Sequence, residues 1–182
     1  MCAKKMQMNY SPELESGAVK LEYKSHSLLV LCLYRPSRCA GKDVVDKISS
    51  MLKKVRSLSY PVVITGDINI HYDDPSELQT SRLLQMLVTN QLDQHVTDAT
   101  HVGGHTVDII ITNSRVNILD VDVQPPSVSD HSLAVWSYQE RPTTKSKQVR
   151  SSGVCTSVCP SVCHTPILYL NDLTYLKTFL TI

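Results

Sequence analysis

The chain has 182 residues, 42% of them hydrophobic, which suffices for one domain with a core, or for one domain and a tail. Its formal net charge of +1 excludes a strong overall attraction to nucleic acid, although a local basic site is compatible with it. The N-terminus has no apolar region typical of a signal peptide, and no run approaches the roughly 18 apolar residues of a membrane span. We therefore expect an intracellular protein, nuclear or cytoplasmic, that makes no membrane contact.

The first elements predicted are a β-hairpin and a helix. Residues 17–34 alternate between apolar and polar side chains and then become continuously apolar, with residues 24–27 as the turn between two strands. Pro36 ends the second strand. An apolar stripe at helical spacing over residues 43–58 predicts a helix, with Asp43 as its N-cap.

Strands and helices continue to interleave after this helix. Residues 62–65 predict a short strand buried on both faces, and a loop at residues 73–76 precedes a helix over residues 77–90. The residues of that helix predicted to face inward are Leu83, Leu84, Leu87 and Val88. Further strands are predicted at residues 92–97, 107–112, 116–123 and 132–136. The pattern favours an α/β or α+β class with a mixed sheet.

The composition changes after about residue 139. Residues 141–152 are polar and basic, as in a linker, and a Cys-x3-Cys-x3-Cys-His run occupies residues 155–164. Zinc sites usually have more closely spaced cysteine pairs, so a low-complexity tail is the favoured interpretation. We expect an N-terminal arm over residues 1–14, a partial domain over residues 15–138, and a linker and tail over residues 139–182.

The segment Gly66-Asp67-Ile68-Asn69-Ile70-His71 carries three polar groups of different chemistry directly after a buried strand. In an extended backbone Asp67, Asn69 and His71 would share one face, with the two isoleucines on the other. A glycine and an acid at a strand end are often only a structural turn. Three aimed polar groups at the end of a rigid strand favour a catalytic site.

A second acid, Asp108, lies within the apolar strand predicted at residues 107–112. A buried carboxylate without a partner costs several kcal/mol, so Asp108 should have one. His131, in Ser129-Asp130-His131, is the natural candidate. The alternative is that Asp130 caps a turn beside a surface histidine.

These motifs together resemble the endonuclease/exonuclease/phosphatase family, which has the DNase I-like fold. The segments that carry the resemblance are Leu33-Tyr34-Arg35-Pro36, Gly66-Asp67-Ile68-Asn69, Thr100-His101 through Asp108, and Ser129-Asp130-His131. Within the family, residues 15–138 look most like the apurinic-type endonuclease domain of LINE-type non-LTR retrotransposons. The resemblance implies a DNase I-like four-layer α/β sandwich, of which this chain would hold the C-terminal portion only.

The resemblance also implies roles for the catalytic residues. Asp108 would orient His131, and the two would handle the proton of the attacking water or the phosphate charge. Asp67 would position that water or serve the leaving group, and Asn69 would hold Asp67 or a phosphate oxygen. Tyr34 would donate a hydrogen bond to the scissile phosphate.

The implied cofactor is Mg²⁺, with Mn²⁺ as the alternative, and Asp130 would be its ligand in this chain. The implied substrate is the phosphodiester backbone of DNA, and the sequence leaves the question of protein partners open. Further residues implied to bind the substrate are His71, Thr100, His101 and Arg35. In the family a glutamate is the principal metal ligand, and we expect its equivalent, with the rest of an N-terminal half, to lie outside this chain.

The function implied is therefore a fragment of a Mg²⁺-dependent endonuclease, with catalysis severely impaired by truncation. Two alternatives stay open at this point. One is a phosphatase of the same fold that acts on an inositol phosphate or a similar ester. The other is a non-catalytic fragment, domesticated or pseudogenic, that at most binds nucleic acid or a partner.

Overall fold

The computed structural model describes residues 2–6, 14–23, 26–36, 44–56, 60–127, 129–140, 152–155, 157–158, 167–171 and 175–178. The helices and strands within these ranges are, in chain order, β1 (Cys2–Met6), β2 (Glu15–Tyr23), β3 (His26–Tyr34), α1 (Val44–Arg56), β4 (Val62–Asp67), α2 (Leu78–Asn90), β5 (Leu92–Gln94), β6 (Asp108–Asn113), β7 (Val116–Gln124), β8 (Leu133–Glu140), β9 (Ser152–Cys155), β10 (Ser157–Val158), β11 (Ile167–Asn171) and β12 (Tyr175–Thr178). None of the helices described is long and apolar enough to cross a bilayer.

The main sheet has six strands in the order β1-β2-β3-β4-β6-β5. Only β3 and β4 are parallel neighbours in this sheet, and α1 lies between them in the chain, as a parallel crossover requires. Two three-stranded sheets follow in the sequence, β7-β8-β9 and β10-β11-β12. The predicted α/β class with a mixed sheet is confirmed.

The central strands β3, β4 and β6 are buried on both faces because they are apolar at both odd and even positions. On β4, Val62 and Ile64 pack with α1 and α2 in one core cluster. Val63, on the opposite face, belongs to a second cluster with Ala134 and Trp136 of β8. The described residues therefore form helix, sheet and sheet layers, with a core on each side of the main sheet.

Most of the predicted elements occur near their expected bounds. The hairpin of residues 17–34 is present as β2 and β3, but His26 and Ser27 belong to β3 and not to the turn. The helix predicted over residues 43–58 is α1, and its proposed N-cap Asp43 lies outside the described residues. Within the predicted N-terminal arm, Cys2–Met6 pairs with β2 as the edge strand β1.

Two predictions about α2 and β5 were wrong in detail. In α2, Val88 is 78% exposed, and the inward position is taken by Met86, which lies three residues after the buried Leu83. The strand predicted over residues 92–97 ends at Gln94. Its side-chain Oε1 accepts hydrogen bonds from the N–H groups of residues 95, 96 and 110, and so replaces part of the strand ladder.

Gly66 allows β3 and β4 to approach closely where the chain reaches Asp67. Its φ of +132° is a conformation that residues with a Cβ rarely adopt, and a Cβ there would overlap the carbonyl oxygen of Leu33. We expect Gly66→Ala to lower the free energy of unfolding by roughly 2–4 kcal/mol, measured by urea denaturation.

Gly17→Ala is the matched control, because a Cβ at Gly17 meets nothing within 4 Å. Its effect should stay within about 1 kcal/mol. Equal effects of the two substitutions would contradict the close-approach explanation.

Candidate active site

Polar side chains lie at the adjacent ends of three neighbouring strands of the main sheet. β3 ends at Tyr34, β4 ends at Asp67 and β6 begins at Asp108, and the register pairs Tyr34 with Asp67 and Asp67 with Asp108. Because side chains alternate along a strand, the two acids share the sheet face of Val63 and Ile110, which belong to the second core cluster. The site therefore lies at the ends of these strands, on the face of the main sheet that packs against β8.

Asp108 and His131 form a buried pair, which confirms the prediction that His131 is the partner of Asp108. His131 Nδ1 lies 2.9 Å from Asp108 Oδ2, and the side chains are 10% and 2% exposed. Since the carboxylate accepts, the proton is assigned to Nδ1, and Nε2 is the nitrogen that can take or give a proton at the site. Ser129 Oγ holds this residue by accepting the N–H of His131 at 3.1 Å.

Burial and like charge perturb Asp67, the acid beside this pair. Burial, together with the charge of Asp108, raises the pKa of Asp67 from 3.8 to about 7. Asp108 Oδ1 is buried, and among the described residues it has no hydrogen-bond partner. Two carboxylates on neighbouring strands therefore favour a state in which Asp67 carries a proton near neutral pH.

His131 experiences opposing effects. Burial lowers the pKa of its imidazole, but the hydrogen bond and charge of Asp108, with the charges of Asp67 and Asp130, raise it, and the net shift is upward from 6.5. The imidazolium form of His131 is therefore favoured, and Asp67, with its pKa of about 7, changes protonation near neutral pH. A group that changes protonation near the working pH suits general acid–base chemistry.

Asn69 contacts Asp67 because the chain turns tightly after Asp67 and does not continue as an extended strand. Asn69 has a φ of +47°, its N–H donates to Asp67 Oδ1 at 2.8 Å, and its Nδ2 donates to Asp67 Oδ2 at 2.9 Å. Its Nδ2 also donates to the carbonyl oxygen of Arg35 at 2.7 Å. The expected proximity of Asp67 and Asn69 is confirmed, but the extended alternation that predicted it is wrong.

His71 follows this turn, and its place on the same face as Asp67 stays a prediction. Its ring stacks on that of His105, with centroids 3.9 Å apart and planes 8° from parallel. His71 Nδ1 lies 2.9 Å from Glu77 Oε1, and His105 Nδ1 lies 3.0 Å from Asp73 Oδ2. The two imidazoles form a second, half-exposed cluster, and the role of His71 in substrate binding stays a prediction.

The sequence predicted that Thr100 binds the substrate. The structure contradicts this prediction, because the side chain of Thr100 is fully buried. Its Oγ1 accepts the N–H groups of Val107 and Asp108, both at 3.0 Å, and its carbonyl oxygen accepts the N–H of Ser132 at 2.7 Å. Thr100 therefore ties the start of β6 to the segment that carries His131.

Arg35 is also buried. Its Nη1 lies within 3.2 Å of three acceptors, the carbonyl oxygens of Ile68 and Asn69 and Oε1 of Gln79. The guanidinium group thus supports the turn that carries Asn69, a role that the sequence did not indicate. Direct contact of Arg35 with a substrate stays a prediction.

Asp130 and His101 form the exposed rim of the site. His101 Nε2 lies 3.3 Å from Asp130 Oδ2, and the side chains are 33% and 65% exposed. Hydrogen bonds from its own backbone and from His101 lower the pKa of the Asp130 carboxyl. Ligand atoms of His101, Asp130 and His131 all lie within 4.8 Å of one another, so these three could hold a metal ion.

Sequence reasoning missed the partners that orient these groups. His105 and Asp73 were not singled out, although His105 stands in the same short run as Asp108. Gly103 is a further such partner, because its N–H donates to His101 Nδ1 at 3.0 Å. A polar residue within two or three positions of a predicted site residue was the available signal.

Comparisons with known proteins agree with this arrangement. A family model described as endonuclease-reverse transcriptase matches residues 28–135, more than half of the chain. A comparison with curated proteins gave no match.

Solved structures with a similar fold have low sequence identity to the chain. The endonuclease domain of TRAS1, a telomere-specific non-LTR retrotransposon, is 12% identical with a TM-score of 0.52, over 71% of this chain and 75% of that domain. The human Nocturnin catalytic domain with bound sulfate anion is 14% identical with a TM-score of 0.54, over 78% of this chain and 59% of that one.

An endonuclease/exonuclease/phosphatase from Bacteroides vulgatus is 12% identical with a TM-score of 0.53, over 70% of this chain and 55% of that one. This chain therefore spans little more than half the length of the human and bacterial structures. The likenesses confirm the expected DNase I-like fold.

The hydroxyl of Thr100 supplies the acceptor for two buried N–H groups. Thr100→Val removes that acceptor and should lower the free energy of unfolding by roughly 2–4 kcal/mol, because each unsatisfied buried group costs about 1–3 kcal/mol. Thr100→Ser keeps the hydroxyl and should cost about 1 kcal/mol. Urea denaturation followed by circular dichroism measures both, and equal losses would contradict the hydroxyl's role.

The raised pKa of Asp67 makes stability depend on pH. Between about pH 4 and pH 7 the unfolded chain has released this proton while the folded chain retains it, so Asp67 lowers stability progressively with rising pH across that interval. The stability of Asp67→Asn relative to the unsubstituted chain should therefore increase by roughly 2 kcal/mol from pH 5 to pH 8.

Asp74→Asn serves as the control for this pH series. Hydrogen bonds from Ser76 lower the pKa of Asp74, so its contribution changes only below about pH 4 and should be constant from pH 5 to pH 8. A flat difference for Asp67→Asn over the same range would show that Asp67 is not perturbed by burial and Asp108.

Proposed function

The chain belongs to the endonuclease-reverse transcriptase family, and we propose that its site hydrolyses phosphodiester bonds of DNA with Mg²⁺, or alternatively Mn²⁺, as cofactor. The observation that carries the proposal is the buried Asp108–His131 pair, at 2.9 Å, on the same sheet face as Asp67. A histidine oriented by a carboxylate, beside an acid whose pKa is raised to about 7, can carry out the proton transfers of general acid–base hydrolysis.

The proposed role of His131 depends on its tautomer. Asp108 holds the proton on Nδ1, so Nε2 is available to accept a proton from an attacking water. Once protonated, the imidazolium can donate to a phosphate oxygen and is stabilised by the carboxylate beside it. Both versions of the role require the hydrogen bond between Asp108 and His131.

Asp67 is proposed to act at the leaving oxygen or to position the water. At neutral pH a substantial share of Asp67 is protonated, and a carboxylic acid can donate its proton to an oxygen that becomes an alkoxide. Asn69 holds both carboxylate oxygens with its N–H and Nδ2 groups, which keeps the acid in one orientation. Tyr34, half-buried on the neighbouring strand in register with Asp67, is proposed to donate a hydrogen bond to the phosphate.

The residues present fit a hard divalent cation at the rim of the site. Asp130 has an exposed carboxylate, and its lowered pKa keeps that carboxylate ionised, as a ligand for Mg²⁺ must be. Bound Mg²⁺ typically uses one or two protein carboxylates and fills its other positions with water and phosphate oxygens. Such an ion would neutralise charge that develops on the phosphoryl group.

DNA is preferred over an inositol phosphate as the proposed substrate because of the family and the motif context at Tyr34 and His101. The phosphatase alternative is tested with the same protein by offering both substrates. Faster hydrolysis of a soluble phosphoinositide than of abasic DNA would favour the phosphatase.

The central prediction concerns cleavage of supercoiled plasmid and of an abasic oligonucleotide with Mg²⁺. Asp67→Ala and His131→Gln should each slow cleavage by about 10²–10⁴-fold, the usual contribution of a positioned acid or base. Gel electrophoresis over long incubations gives the rates. Asp46→Asn and His26→Gln, which lie outside the site, should leave the rates unchanged.

Two results would oppose parts of the proposal. If neither DNA substrate is cleaved in a Mg²⁺-dependent way, the non-catalytic alternative is favoured. Severely impaired catalysis, the expectation from sequence, is contradicted if nicking is robust and is abolished by Asp67→Ala.

A further inference from the structure

We propose that His101, Asp130 and His131 form a binding site for a borderline transition-metal ion, Zn²⁺ or Co²⁺, and that the occupied site is inhibited. The metal binding stands on the geometry alone, whereas the inhibition rests on the proposed function. The proposal adds His101 to the metal ligands. It also assigns the site a second class of ion, which would inhibit the hydrolysis that Mg²⁺ supports.

The three side chains are held together by the backbone as well as by their own contacts. Residues 101 and 131 form an isolated antiparallel bridge, and Val102 N–H donates to the carbonyl oxygen of Asp130 at 2.9 Å. The imidazoles of His101 and His131 meet edge to face with centroids 5.0 Å apart. One ligand atom from each of the three lies within 4.8 Å of the others, so little movement is needed to close around an ion.

The donor set distinguishes between classes of ion. Two imidazoles and one carboxylate are the ligands of the facial sites of transition metals, which leave further positions open. Mg²⁺ demands oxygen ligands in near-ideal octahedral geometry and gains little from imidazole nitrogen. An ion that accepts nitrogen ligands therefore binds all three side chains, whereas Mg²⁺ uses the Asp130 carboxylate.

His131 is prepared for such an ion by Asp108. A metal-binding histidine usually donates its other ring N–H to a carboxylate, which sets the tautomer and raises the basicity of the ligand nitrogen. The Nδ1 contact to Asp108 Oδ2 at 2.9 Å is this arrangement. An ion on Nε2 would occupy the nitrogen that the proposed hydrolysis needs for proton transfer, and this is the reason to expect inhibition.

His101 must change tautomer to become a ligand. Its Nδ1 accepts the Gly103 N–H at 3.0 Å, so its proton resides on Nε2 and is directed at Asp130 Oδ2. When an ion takes Nε2, that proton leaves to solvent and Nδ1 takes another, so the ring stays neutral and the Gly103 hydrogen bond breaks. The Gly103 amide therefore reports on binding independently of any cleavage assay.

Other groups that bind transition metals have to be removed from the experiment. The tail carries Cys155, Cys159 and Cys163, followed by His164. The cysteine thiolates and the imidazole would compete for Zn²⁺. The full chain with these three cysteines replaced by serine is the background for every measurement. His105→Gln measures any share taken by the His71–His105 cluster.

The test measures Zn²⁺ affinity by titration calorimetry, Co²⁺ coordination by visible absorption, and the Gly103 amide resonance by NMR. We expect one ion per chain and a shift of the Gly103 resonance. His101→Gln and Asp130→Asn should each weaken binding by at least about 10-fold, since loss of an outer-shell partner alone typically costs 10–100-fold. His26→Gln should bind as the background does, and circular dichroism checks that each variant is folded.

Cleavage of abasic DNA with Mg²⁺ is then measured against Zn²⁺ concentration. Inhibition at the concentration that saturates the calorimetric site supports the proposal in full. If the chain binds Zn²⁺ through His101 and Asp130 but cleaves nothing, the metal site holds and the proposed function fails. Binding that is unaffected by both substitutions, or cleavage that is unaffected by saturating Zn²⁺, overturns the inference while leaving the proposed function intact.

Discussion

Asp67 and Asp108 lie opposite each other on neighbouring antiparallel strands, and both are nearly inaccessible to solvent. Like charges in that position repel, and burial adds the cost of removing ions from water. The surrounding residues reduce this cost by different means. His131 compensates Asp108 with an imidazole, Asn69 hydrogen-bonds both oxygens of Asp67, and a proton on Asp67 removes one of the two charges.

The rest of the site follows from this arrangement of two acids. Gly66 allows the backbone of β4 to approach β3 closely. Asp67 therefore lies beside Tyr34 where the two strands end. Thr100 holds the first amide groups of β6 and the segment after His131, which sets the distance between Asp108 and its partner. The sheet supplies rigidity, and the loops that leave its edge supply the groups that complete the site.

Much of this could be predicted from the sequence, because burial and partnership obey local rules. An acid in an apolar strand needs a partner, and His131 was identifiable as that partner. What the sequence could not show was the single left-handed residue at Asn69 and the stacking of His71 on His105. Fully buried Thr100 was misjudged for a related reason, since a hydroxyl that accepts backbone amides and one that meets a substrate look alike in sequence.

Gln94 has a consequence for how the protein behaves in solution. β5 is an edge strand, and an edge strand offers unpaired amide and carbonyl groups to other chains. The Gln94 side chain takes the N–H groups of residues 95 and 96 immediately after the strand, and β5 stops after three residues. A strand of three residues offers few unpaired groups to another chain, so the end of β5 at Gln94 keeps this exposed edge short.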